Sequence, residues 1–190
     1  MAQQPPGDRA MRADARRNYG RLLAAAREAF TERGTEAHLD DIARRAEVGP
    51  GTLYRHFPTR EALLAAVYRG DVEELAVRAD ELAGTRPPGE ALTAWLWLQL
   101  DYIKHKRGLG AAVKTMLAAD SETLNWCRDT MRGALGGLLA RAQEAGTVRA
   151  DVTAADVLRL VHGVGMASES APESAERLFT IVLDGLRPPG

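Results

Sequence analysis

This chain of 190 residues has one cysteine and few strand-forming runs, and each shortage removes a class of protein. The single cysteine, Cys127, excludes an internal disulfide framework and a cysteine-rich zinc site, and it suits a reducing cytoplasm. No apolar run reaches the roughly 18 residues of a membrane-spanning helix. The stretch Ala91 to Leu100, for example, stops at Asp101. Alternating runs of useful length between turn dipeptides are almost absent, so no sheet is expected. Also missing are a Ser-His-Asp setting, a Walker loop, a dinucleotide fingerprint and a helical metal motif, so neither an enzyme nor a cofactor is expected. Asp101 and His105, one helical turn apart, read as a surface contact. Residues 1–13 hold Pro5, Pro6, Gly7 and alternating charges without an apolar stretch. They read as a disordered basic leader, not a secretory signal.

What remains is an ordinary globular composition, 45% hydrophobic and 27% charged, with the charge unevenly spread. The net charge of -1 argues against a nucleic-acid partner only until its distribution is considered. Residues 1–60 carry eleven arginines and no lysine against eight acids, whereas the rest carries 14 bases against 18 acids. The N-terminal third is therefore the basic part. The length suits one compact body with a small appended domain.

Helical spacing runs from end to end. Tyr19, Leu22, Leu23, Ala26 and Phe30 fall on one face of a first helix over about 14–33, ended by Gly34. Leu39, Ile42, Ala43 and Ala46 repeat the pattern in a shorter segment. Pro50 suits the first turn of a third helix, over about 50–56, because the missing N–H has no intrahelical partner there. Phe57-Pro58 stops it, and Thr59 can cap a long fourth helix reaching about Leu82. Gly84 to Gly89 reads as the clearest linker. Further helices are expected at about 91–106, 109–118, 121–145, 154–168 and 173–186, with Thr153 and Asp156 resembling a capping box. The expectation is an all-α fold of about nine helices: a helix-turn-helix domain over 14–58 and a helical regulatory and dimerisation domain over 59–190, in which 59–83 is the connecting helix.

Between Leu39 and Phe57 the chain makes a short helix, a tight turn at Glu47-Val48-Gly49 and a second short helix. That is the layout of a helix-turn-helix, whose second helix enters the major groove. Ile42, Ala43, Ala46, Val48, Leu53 and Phe57 supply the apolar contacts between them. With Leu53 and Phe57 inward, Gly51, Thr52, Tyr54, Arg55 and His56 are left for solvent or for DNA. Thr52 and Tyr54 can donate hydroxyls to phosphate, Arg55 can pair with a guanine edge or a phosphate, and Gly51 lets a duplex come close. His56 can donate from the helix end, and Arg60 adds charge at the start of the fourth helix. Plain solvated surface is the competing reading of this helix.

The stretch Tyr19 to Val67, above all Asp41-Ile42-Ala43 and the run Val48-Gly49-Pro50-Gly51-Thr52-Leu53-Tyr54-Arg55-His56-Phe57-Pro58-Thr59-Arg60-Glu61-Ala62-Leu63, resembles the DNA-binding domain of the tetracycline-repressor-like family. The resemblance implies a three-helix head, a fourth helix leading to a ligand-binding body, and a homodimer that releases operator DNA when a small molecule binds. It places phosphate contacts on Thr52, Tyr54, His56 and Arg60, and base contacts on Pro50, Gly51 and Arg55. His38 stands where many members have a hydroxyl residue, and Asp40 where many have a basic or polar one. Arg9, Arg12, Arg16 and Arg17 can follow the backbone or enter a minor groove, or simply solubilise a tail.

In the body, Leu92, Trp95, Leu96, Gln99 and Ile103 form one stripe with Trp97 and Tyr102 nearby. Gln99 is its polar exception, either satisfied by backbone or placed to orient a ligand. Met116, Trp126, Met131, His162 and Met166 are further pocket candidates, each also compatible with core packing. The last two helices carry Leu158, Val161, Val164, Leu178, Ile181, Val182 and Leu186, and Gly163, Gly165 and Ala167 allow close helix approach. The resemblance implies that these helices pair across a two-fold axis, which makes the operator a palindrome. The expected partners are double-stranded operator DNA, a second copy and a small apolar or amphipathic effector. No membrane is expected, and the expected location is the cytoplasm, at the nucleoid. A thiol-based redox switch at Cys127 is the alternative, with inert packing as its competing reading.

Overall fold

The computed structural model describes residues 6–118 and 121–188. Among these residues there is no strand, and the fold consists of nine α-helices and two short 3-10 turns. The helices are α1 (Pro6–Arg33), α2 (Leu39–Arg45), α3 (Pro50–His56), α4 (Arg60–Thr85), α5 (Pro88–His105), α6 (Arg107–Met116), α7 (Glu122–Glu144), α8 (Ala154–Ala167) and α9 (Ala175–Gly185). The all-helical architecture read from periodicity holds.

Two boundaries differ from expectation. Helix α1 starts at Pro6, not near Asp14, so residues 6–13 of the expected leader have helical backbone, while residues 1–5 lie outside the described residues. Proline is tolerated at a first helical position, and Arg9 to Ala13 are good helix formers with nothing among them to break a helix. The expected linker over 84–89 shrinks to Arg86 and Pro87, because α4 continues to Thr85 and α5 begins at Pro88. Gly84 sits in the last turn of one helix and Pro88 at the first position of the next, where each is cheap.

The chain forms two compact units. One holds the described residues through Tyr68 with the segment from Gly108; the other holds Arg69–Arg107 and the residues from Ser121 onward. The division falls inside α4 and not at Pro58, since Leu63, Leu64 and Val67 of its first turns are buried within the first unit. No periodicity in the sequence marked the segment after Gly108 as part of that unit.

In the first unit α1 packs on α2 and on the 3-10 turn Gly34–Glu36, and α2 packs on α3. Leu22, Phe30, Ile42 and Leu53 are fully buried, each stabilising the fold by about 1.5–3 kcal/mol. Gly34 adopts φ 53°, the left-handed geometry that ends α1. The Thr59 hydroxyl accepts from the Ala62 N–H at 3.1 Å, capping α4 as expected.

In the second unit α5 packs against α7 and α8, and α8 packs against α7 and α9. Trp95 is fully buried and its indole N–H donates to the Leu75 carbonyl at 2.8 Å, fixing α5 on α4. Asp71 of α4 is buried with the Lys106 ammonium 3.7 Å away. Gly165 allows a close approach, but to α5 of the same chain: a Cβ there would lie 2.4 Å from Cγ2 of Ile103. The Thr153 and Asp156 capping box is present at the start of α8. Among the described residues no helix is long and apolar enough to cross a membrane.

Candidate nucleic-acid interface

Helix α3 is aimed by the turn before it. The Val48 N–H donates to the Ala43 carbonyl at 3.0 Å and the Glu47 N–H to Arg44 at 3.1 Å, closing α2 in a Schellman arrangement. That closure needs a left-handed residue, and Glu47 supplies it at φ 53° despite its Cβ. Its carboxylate lies 3.3 Å from Arg21 of α1, tying the turn to the first helix. Gly49 then caps α3 in extended geometry and Pro50 takes the first helical position.

Leu53 and Phe57 are buried, which turns Pro50, Gly51, Tyr54 and Arg55 fully outward and leaves Thr52 and His56 half-buried. A Cβ built on Gly51 would meet nothing within 4 Å, so the head's own packing does not require glycine there. The His56 ring stands edge-on to Tyr19 with centroids 5.9 Å apart, and Tyr19 also lies 5.2 Å from the Phe57 ring. Periodicity had placed Tyr19 on the core face of α1. It sits instead at the rim of that face, 40% exposed, beside the end of α3. An amphipathic tyrosine at the end of an apolar stripe is the signal that pointed there.

Partnering separates the head's arginines. Arg33 and Arg44 reach Asp41 at 3.3 and 3.0 Å, and Arg45 reaches Glu32 at 2.7 Å, where the guanidinium holds the Glu32 carboxyl below its usual range. Arg60, expected at a phosphate, donates to the Thr35 carbonyl and lies with its guanidinium 5.9 Å above the Phe30 ring. It braces the first turn of α4 against the end of α1. Arg17 pairs with Asp14. Arg55 and Arg16, both exposed, have no ion-pair or hydrogen-bond partner among the described residues. The outward face of α3 thus presents an unneutralised guanidinium, a phenol and a glycine backbone, a set suited to phosphates and base edges.

On α2, His38 occupies the N-cap position without a side-chain capping bond, and its ring is exposed. Asp40 and Asp41 occupy the first turn, where the helix dipole favours acids and a phosphate does not.

The pocket candidates of the body are scattered. Trp95 is core. Gln99 is 9% exposed on α5, and its Oε1 has no hydrogen-bond partner. Tyr102 is half-buried, and Met131 is buried on α7. Trp126 is half-buried beneath the Arg69 guanidinium, 4.5 Å from the ring centroid. Met116 belongs to the first compact unit. His162 and Met166 are exposed on the side of α8 opposite Val157, Val161 and Val164, so they do not line the interior of the second unit. A groove of about 750 Å³ opens elsewhere, lined in part by Leu92, Leu96, Trp97, Val148, Leu183 and Leu186, and none of the expected pocket residues belongs to it. Cys127 is buried, and burial pushes its thiol up to about 11, the reverse of a reactive thiolate.

Of the apolar residues expected at a dimer face, Val161, Val164 and Leu186 are buried within the chain, and Leu158, Leu178 and Val182 are half-buried. Ile181 is 62% exposed, and Leu160, which the sequence reading passed over, is 48% exposed.

Comparison with known proteins agrees with this layout. Residues 22–67 match the profile of the tetR family of bacterial regulatory proteins, and residues 87–188 match that of the SbtR-like transcriptional regulator C-terminal domain. The crystal structure of the TetR transcriptional regulator SCO0520 from Streptomyces coelicolor superposes with a TM-score of 0.76 at 40% identity, covering 90% of this chain and 99% of that one. The HTH-type transcriptional regulator UidR of Escherichia coli is 39% identical over 72 residues, a match spanning 37% of this chain and 37% of UidR's own length. The HTH-type transcriptional repressor KstR2 of Rhodococcus jostii is 26% identical over 201 residues, 97% of this chain and 98% of KstR2.

Proposed function

The chain belongs to the TetR family of bacterial transcriptional regulators, and we propose that it is a ligand-responsive repressor, a homodimer that holds a palindromic operator until a small apolar or amphipathic effector releases it. The observation that carries this reading is the unpaired, exposed Arg55 on a helix whose greasy side is locked inward. Arg55, Gly51 and Pro50 address the bases, and Thr52, Tyr54 and His56 address the phosphates. The exposed His38 ring can donate to a phosphate at the start of α2. Arg16 extends the cationic surface onto α1, and Arg60 contributes by bracing α4.

Exposed Leu160, Met166 and Ile181 favour pairing through α8 and α9, because covering apolar side chains of this size on two adjacent helices lowers the free energy. Such a dimer sets two copies of α3 one helical turn of DNA apart, about 34–36 Å, or a multiple of that. Repression is favoured over activation by the likeness to KstR2, a repressor, along nearly the whole chain. DNA as target puts the protein in the cytoplasm at the nucleoid. The buried, high-pKa Cys127 gives the redox alternative no support.

Selection of bound duplexes from a random pool by the purified protein tests the reading. Enrichment of an inverted repeat is expected, and a reporter placed behind that repeat should be silenced. A pool that stays random, or a reporter that is activated, contradicts it.

A further inference from the structure

One buried polar atom in the second unit is left without a partner by its own fold. Gln99 lies on the face of α5 whose neighbours one turn away are Trp95, Leu96, Tyr102 and Ile103, with Leu92 two turns away. Trp95, one turn before it, directs its N–H to Leu75 of α4, and Ile103, one turn after it, lies against Gly165 of α8, so the buried Gln99 shares the inward face of α5 with both. Leu92, Leu96 and Leu100 of the same helix are buried and apolar, and Tyr102 is half-buried. The carboxamide Oε1 is sealed from solvent without a hydrogen bond. A buried acceptor in this state destabilises the empty protein, and a donor brought by a guest recovers that loss.

We propose that Gln99 is the polar anchor of the effector, and that the effector carries a hydroxyl group on an otherwise apolar, uncharged body. This rests on the effector reading above. A hydroxyl both donates and accepts, so it satisfies the carboxamide in either orientation of its amide. An ionised guest is disfavoured because the buried acid of this unit, Asp71, already has the Lys106 ammonium at 3.7 Å, and a further charge would enter without a counter-ion. The apolar side chains flanking Gln99 suit a hydrocarbon or aromatic skeleton.

The test uses matched probes on the full chain: 1-naphthol against 1-methoxynaphthalene, and 1-decanol against methyl decyl ether. Affinities are measured by calorimetry for the wild type, Gln99→Met and Gln99→Leu, with operator release followed in parallel. At least one alcohol is expected to bind the wild type about tenfold more tightly than its ether. Both variants are expected to bind alcohol and ether alike, while melting cooperatively at or above the wild-type temperature. Two variants of different shape guard against a packing artefact in either one. The proposal is overturned if neither alcohol outbinds its ether on the wild type, the result a trapped water would give, or if the preference survives in both variants. Alcohol preference without operator release strikes the effector reading and leaves Gln99 as an anchor. Release by alcohol and ether alike strikes Gln99 and leaves the effector reading intact.

Discussion

The first compact unit closes its apolar side chains around Leu22, Phe30, Ile42 and Leu53 and leaves cationic and polar groups outside. The second leaves Leu160 and Ile181 in the solvent and an unmatched carboxamide, Gln99, in its interior. Both obey the same rule, that apolar surface avoids water and buried polar atoms need partners. The head buries its apolar set by itself, and what it lacks is anions for the exposed Arg55 and Arg16 and an acceptor for the buried Nε of Arg60. The body leaves the two unmet, which is what the proposed second copy on its outer face and the proposed guest beside Gln99 would remedy.

That contrast can be broken most sharply at the body's outer face. Leu160→Glu with Ile181→Glu is expected to yield a monomer by sedimentation and to weaken operator binding about a hundredfold or more, since two tethered heads gain avidity that one cannot. A dimer that persists removes α8 and α9 from the interface. Next in size is Gly165→Ala, where the new methyl collides with Ile103. A loss of about 1–3 kcal/mol in denaturant melts is expected, and an unchanged midpoint would show that α5 and α8 are not so closely packed. Gly51→Ala should behave in the opposite way: its Cβ meets nothing in the free head, so the helix gains up to about 1 kcal/mol while operator affinity falls. If affinity is unaffected, the duplex does not approach Gly51.

The smallest effect concerns acid. The Arg45 guanidinium holds Glu32 below its ordinary value of 4.5. The stability this pair contributes is therefore fully present above that value and lost as the pH falls through the lowered one. Glu32→Gln should flatten that part of the head's acid unfolding curve and leave the neutral range unaltered.

The helices themselves were legible because each has a local signature: Gly34, Pro50, Thr59 and the Thr153 capping box all do what their chemistry requires. The inward set of α3 followed from spacing alone. Partnering did not, because which acid an arginine finds depends on tertiary neighbours. Arg60 and Arg55 look alike in the sequence, yet one folds back over Phe30 and the other stands free. In the body, residue type suggested His162 and Met166 for a pocket and Leu160 was passed over, because a helix that is apolar on most of its circumference does not declare which side its own chain covers. Gly165 was recognised as a point of close approach, but spacing does not say to which helix.

The most direct measurement is the affinity of the wild type and Arg55→Ala for the selected operator and for a scrambled duplex, by anisotropy at fixed salt. The substitution is expected to cost about 1–3 kcal/mol on the operator and far less on the scrambled duplex, so that discrimination collapses while the melting temperature holds. Equal losses on both duplexes, or none on either, would contradict the claim that the outward face of α3 reads the bases.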